Sequence, residues 1–64
     1  MLRFYYRAIW EDSDGWQITF SFNVLAVGRR RAEIIAHDLV KWYSKKVPKY
    51  FPFKELILTL TETI

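Results

Sequence analysis

Apolar side chains occupy every second position near the start of the chain. Leu2, Phe4, Tyr6, Ala8 and Trp10 alternate with Arg3, Tyr5, Arg7 and Ile9, and after Glu11-Asp12-Ser13-Asp14-Gly15 the alternation resumes as Trp16, Ile18, Phe20, Phe22 and Val24. A period of two predicts two β-strands, about Leu2–Trp10 and Trp16–Val24, joined by a turn. Only pairings of even with even positions keep the apolar set on one side of a sheet. Trp10 opposite Trp16 does so, with Ala8 by Ile18, Tyr6 by Phe20 and Phe4 by Phe22, and it leaves Glu11–Gly15 as the loop with Gly15 free to take positive φ. Val24-Leu25-Ala26-Val27 reads either as a short third strand, the favoured reading, or as a bent extension of the second, with Gly28 ending it.

From about Arg29 to Val47 the period lengthens. Ala32, Ile35, Ala36, Leu39, Val40, Trp42, Tyr43 and Val47 share one arc of a helix, while Arg30, Glu33, His37, Lys41, Ser44 and Lys45 share the other. Pro48 stops this helix, because it lacks a backbone donor and restricts Val47. An aromatic loop, Lys49-Tyr50-Phe51-Pro52-Phe53, follows; Tyr50, Phe51 and Phe53 are expected to plug the open end of the sheet–helix sandwich, the other reading being an exposed aromatic hook for a partner. A last strand, about Lys54–Thr63, places Leu56, Leu58 and Leu60 on one face and Glu55, Ile57, Thr59 and Thr61 on the other. A helix between strands implies a crossover, which most simply lays the last strand parallel to the first. The expected architecture is a single α+β domain, β-β-(β)-α-β. Its sheet has three or four mostly antiparallel strands in the order short third, second, first, last, with one amphipathic helix packed on one face.

One helix cannot cover both sides of a sheet, so the opposite face meets solvent or a partner. Arg3, Tyr5, Arg7 and Ile9 are expected along its middle, with Gln17, Thr19 and Ser21 on one flank and Ile57, Thr59 and Thr61 on the other. Ile9 and Ile57 are apolar residues that a wetted face does not need, and they point to a buried contact with a protein partner or a second copy. An aromatic between two arginines also suits base stacking with phosphate contacts. Arg29, Arg30 and Arg31 would add to such a surface. They open the helix without a good N-cap and oppose its dipole, so they are either a functional cluster or arginines lying in solvent.

Charge shifts this picture little: ten Lys plus Arg against seven Asp plus Glu give a net charge of +3. At 64 residues the chain is one domain with a small core, reinforced by three Trp, four Tyr and five Phe or by self-association. With no cysteine there is neither a disulfide framework nor a zinc-thiolate site, and the lone His37 argues against a histidine-built metal site. The acidic loop is too short for a calcium-binding loop of about twelve residues. His37 and the serines Ser13, Ser21 and Ser44 lack a nucleophile-and-base context, and Gly15 and Gly28 cannot form a phosphate-cradling loop. No catalysis, cofactor or small-molecule substrate is therefore expected. No run approaches the roughly 20 apolar residues of a membrane span, and Met1-Leu2-Arg3-Phe4 does not begin a leader, so a cytoplasmic protein is expected.

Tyr6-Arg7-Ala8-Ile9 leading to Asp14-Gly15-Trp16-Gln17-Ile18-Thr19-Phe20, then Ala32-Glu33-Ile34-Ile35-Ala36, with Pro48 before the closing strand, resembles the HicB-like antitoxin core over nearly the whole chain. Ser21-Phe22-Asn23-Val24 replaces the proline-rich turn usual in that family after the second strand, and the chain is basic where such antitoxins tend to be acidic. The resemblance implies a partial ribonuclease-H-like fold without catalysis that binds a protein partner. The sequence readings together name a protein partner, with homodimerisation, as the first expectation and nucleic acid as the alternative.

Overall fold

A computed structural model describes the whole of Met1–Ile64. Strand β1 (Leu2–Glu11), strand β2 (Gln17–Ala26), helix α1 (Arg29–Ser44) and strand β3 (Phe53–Thr63) follow one another along the chain. They form a small α+β domain: an open antiparallel sheet of three strands, ordered β2-β1-β3, with the helix on one face.

The β1–β2 turn is tighter than the alternation predicts. Asp12 Oδ1 accepts the backbone N–H groups of Asp14 (3.0 Å) and Trp16 (2.9 Å), and the Asp12 carbonyl accepts that of Gly15 (3.2 Å). Gly15 takes φ +88°, a conformation that costs a residue with a side chain but not glycine. The loop therefore shrinks to Ser13-Asp14-Gly15, a three-residue hairpin closed by the Asp12 N–H donating to the Trp16 carbonyl at 3.0 Å. The register slides by two residues, so Trp10 faces Ile18, Ala8 Phe20, Tyr6 Phe22 and Phe4 Val24. Even still pairs with even, and the apolar face survives. Trp16 does not, lying 73% exposed at the turn.

Of the two readings of Val24–Val27 the extension holds and the favoured separate strand does not: β2 runs on to Ala26 opposite Leu2 before a bend at Val27-Gly28. Nor is the last strand parallel to the first, since β3 pairs antiparallel with β1 from Phe53↔Trp10 to Thr63↔Leu2. The crossover relates β3 to β2 instead. α1 starts at the end of the sheet where β2 finishes and returns the chain to the hairpin end, so β3 retraces the direction of β2 with β1 between them. Both X-Pro bonds are trans.

Phe4, Tyr6, Ala8 and Trp10 of β1 and Val24 and Ala26 of β2 are buried against Ala32, Ala36 and Val40 of α1. Small residues on the helix let it sit close to the aromatic sheet. At the hairpin end the Trp10 indole donates to Ser44 Oγ at 3.0 Å, Tyr43 stacks on Phe20 at 4.2 Å, and Phe51 and Val47 pack on the Trp10 cluster. Phe51 thus plugs the sandwich as expected and Phe53 meets the Trp10 ring edge-on at 5.6 Å, whereas Tyr50 is exposed. The helix rests on β1 and β2 and scarcely touches β3. Its apolar arc is wider than the sheet beneath it, so Ile35 and Trp42, expected inside, are 36% and 54% exposed.

Candidate interaction surface

The helix-free face of the sheet carries the odd positions of β1. Pairing sets them in rows: Leu25–Arg3–Glu62, Asn23–Tyr5–Leu60, Ser21–Arg7–Ile57 and Thr19–Ile9–Glu55. β3 reaches this arrangement through two register shifts, between Tyr5 and Tyr6 and between Ile9 and Trp10, where Thr59 and Lys54 are the extra residues. A bulge inserts one unpaired residue and so reverses the alternation beyond it. Leu56 and Leu58 face the helix side, but Leu60 turns to the open face, 54% exposed, and Thr61 moves to the helix side opposite Phe4. Thr59 fastens the bulge by donating its hydroxyl to the Tyr5 carbonyl at 3.2 Å.

Glu62 organises the charges of the first two rows. Its Oε1 accepts the Tyr5 phenol at 2.7 Å and lies 3.9 Å from Arg3 Nε. That hydrogen bond, followed by lost solvation, raises the Tyr5 phenol above its ordinary value. At the hairpin end Glu11 accepts from Gln17 Nε2 (2.7 Å) and pairs with Lys54 Nζ (3.1 Å), and the two bonds hold its carboxyl below the ordinary glutamate value. Arg7, exposed between Ser21 and Ile57, is the cation of the β1 row without an ion-pair partner.

The structure therefore brings Arg3, Tyr5, Arg7 and Ile57 onto one face, as their spacing predicts, with Ile9 beside them. Ile9 is nevertheless only 7% exposed. In one copy it therefore presents little free apolar surface. Arg29, Arg30 and Arg31 belong to the other layer, at the start of α1. Gly28 caps that helix through its backbone alone, Arg29 pairs with Glu33 one turn on (3.0 Å), and Arg30 and Arg31 project into solvent. No group of three or more His, Cys, Asp or Glu side chains comes together. No helix is long and apolar enough to cross a membrane.

A second surface escapes the alternation altogether, namely the outer edge of β2 with the flank of α1 beside it. Gln17–Ala26 contains no charged residue, proline or glycine and no register shift. β3, the other edge, carries Lys54, Glu55, Glu62 and both bulges, the usual guards against edge-to-edge pairing. Above the β2 edge, Ile35, Leu39 and Trp42 line a shallow apolar cleft with Asp38. This is the flank away from β3, because His37, Lys41 and Ser44 line a cleft with Phe53 on the opposite side. The missing charges of β2 and the excess width of the helix's apolar arc were visible in the sequence, but alternation assigns residues to faces and says nothing of edges.

Compared with protein-family models, characterised proteins and solved structures, the chain matches none.

Proposed function

We propose that this chain is a non-catalytic interaction module that self-associates and offers the open face of its sheet to a protein partner. The observation that carries this reading is the outward turn of Leu60 at the Thr59 bulge, beside Tyr5 and next to Ile57 on the same face of β3. A face that only meets water has no use for this apolar pair, and a protein surface does. Charge favours the same partner. Glu62 lies beside Arg3 and accepts from Tyr5, and Glu11 pairs with Lys54, so a phosphate backbone would meet carboxylates on this face. The likeness to the HicB-like core agrees with a protein partner and no catalysis.

The nucleic-acid reading keeps two observations in its favour, the unpaired Arg7 on the open face and the free Arg30 and Arg31 at the start of α1. Titration with labelled single- and double-stranded oligonucleotides at low and moderate salt separates the two. The protein-partner reading expects no binding at either. Binding that weakens steeply with salt, and is lost in an Arg30→Ala/Arg31→Ala double variant, would replace it. A photo-crosslinking side chain placed at position 60 is expected to give a discrete protein adduct in cells that the same side chain at position 16 does not give. Equal labelling from both sites would count against the open face.

A further inference from the structure

We infer that the occupant of the β2 edge is a second copy of this chain, joined strand to strand about a two-fold axis at Ser21. The inference deepens the self-association part of the reading above and assigns its surface. The hydrogen bond from the Asp12 N–H to the Trp16 carbonyl sets the phase of the β1–β2 ladder, so the even residues of β2 bond to β1. Odd residues of β1 bond on its other side, where Glu11 donates to the Pro52 carbonyl and the Tyr5 carbonyl accepts from Thr59. Gln17, Thr19, Ser21, Asn23 and Leu25 consequently direct their N–H and C=O groups outward from the sheet. Ser21 is the middle one. An antiparallel second copy centred there pairs Ser21 with Ser21, Thr19 with Asn23 and Gln17 with Leu25, and every outward group finds a partner. The result is a closed pair with one continuous sheet and the two guarded β3 edges outermost.

The helix layer fits the same operation. α1 lies over β1 and β2, so its axis sits about half a strand spacing, ~2.4 Å, inside β2. Doubling that and adding the ~4.8 Å between paired strands separates the two helix axes by roughly 10 Å, the distance at which helices pack directly. Tyr43 lies over Phe20 and Leu39 packs against the cluster that includes Phe22, so the axis at Ser21 passes α1 near Lys41. Leu39 and Trp42 then meet their counterparts. Asp38 comes within about a turn of the second copy's Lys46, which in one copy lies 4.8 Å over the Trp42 ring. On the sheet side the half-buried Phe20 and Phe22 face each other across the axis. The long flank of the molecule, 39 Å by 14–18 Å, gives a footprint of roughly 550–700 Å² per copy, at the lower end of what stable protein pairs bury.

Sedimentation equilibrium of the intact chain and three variants tests this. The parent is expected to be a dimer, and Ser21→Pro, which removes an outward N–H that the monomer does not use, to be monomeric with an unchanged far-ultraviolet spectrum. Trp42→Glu should weaken the dimer at least tenfold. The chain has no cysteine, so Ser21→Cys reports the register directly. The two Ser21 Cα atoms would lie about 5.5 Å apart, within disulfide reach, whereas two Asn23 positions would lie about 14 Å apart. Ser21→Cys is expected to oxidise to a covalent dimer far faster than Asn23→Cys. A parent that stays monomeric, or cysteines that cross-link at equal rates, overturns the edge assignment. If Leu60→Glu dissociates the pair while Ser21→Pro does not, the copies meet through their open faces: the edge assignment falls and the interaction-module reading stands.

Discussion

Tyr6 offers the most direct energetic test of the packing. Its ring is 4% exposed, stacked on Phe22 at 5.7 Å beneath the helix, and its hydroxyl has no hydrogen-bond partner. A buried hydroxyl without a partner costs about 1–3 kcal/mol, whereas the ring itself contributes burial that phenylalanine would keep. Tyr6→Phe should therefore raise the unfolding free energy by about 1 kcal/mol, with a urea midpoint higher by about 1 M at unchanged slope and a melting temperature higher by about 4–8 °C for a domain of this size. Tyr5→Phe is the control. That phenol is paired with Glu62 at the surface, and its loss should leave the urea midpoint essentially unchanged. Both phenols are raised with pH consequences of the same sign, Tyr5 chiefly by its hydrogen bond to Glu62 and Tyr6 chiefly by burial. Burial, with the Glu33 carboxylate adding to it and Arg29 opposing it, raises the Tyr6 phenol above its ordinary value. A raised acid binds its proton more tightly folded than unfolded. Its contribution is thus complete below the unfolded value near 10 and is lost as pH rises through the folded one, so Tyr6→Phe should flatten the alkaline limb of the stability curve. A Tyr6→Phe variant less stable than the parent would show that the hydroxyl is bonded and refute the reasoning.

Trp10 is 1% exposed and ties β1 to Ser44, Tyr43 and Phe53, so Trp10→Ala should cost about 3–5 kcal/mol and leave a chain of this size largely unfolded by circular dichroism. Gly15→Ala puts a side chain at φ +88°, where nothing crowds it, and should cost about 1–2 kcal/mol from backbone strain alone in chemical denaturation. Glu11 has a lowered folded value, so its stabilisation is present above the unfolded glutamate value and lost as pH falls through the folded one. Glu11→Gln should remove part of the acid-side slope below about pH 4.5 in a pH series of melts.

Period-two alternation was enough to separate core face from open face along β1 and β2, because burial acts on side chains and side chains alternate. It could not set the register, which depended on Asp12 bonding two backbone N–H groups and drawing the loop in by two residues. It also could not foresee Leu60 on the open face. The run Leu56, Leu58, Leu60 reads as one buried stripe, but the bulge at Thr59 breaks the phase inside it, and a bulge held by one hydroxyl leaves no periodic trace. The crossover does not lay β3 parallel to β1, because the helix springs from β2 and relates β3 to that strand. Among the candidate site residues, Arg3, Tyr5, Arg7 and Ile57 were legible from parity. Ile9 was legible only as to face, since its covering depends on the strands either side. The β2 edge was open to reading through what it lacks.

The geometry of the monomer ties self-association to folding. Its accessible surface is 4739 Å², about 8% above the roughly 4,400 Å² expected of a compact chain of 7.8 kDa. Its radius of gyration is 12.5 Å where about 10.7 Å is usual for this length. The excess belongs to a thin, long slab, one helix wide, whose flank shows Ile35 and Trp42 to solvent. A second copy on that flank covers surface that the chain alone has no length to cover, so much of the stability of the fold should depend on pairing. Mass action then makes the melting temperature a function of concentration. With an unfolding enthalpy of about 0.7 kcal/mol per residue, a tenfold rise in protein concentration should raise the melting temperature of a dimer that unfolds to two chains by about 5 °C. Ser21→Pro should melt lower than the parent and independently of concentration. If parent and variant melt together at every concentration, the fold is complete in one copy and the coupling argued from its shape is wrong.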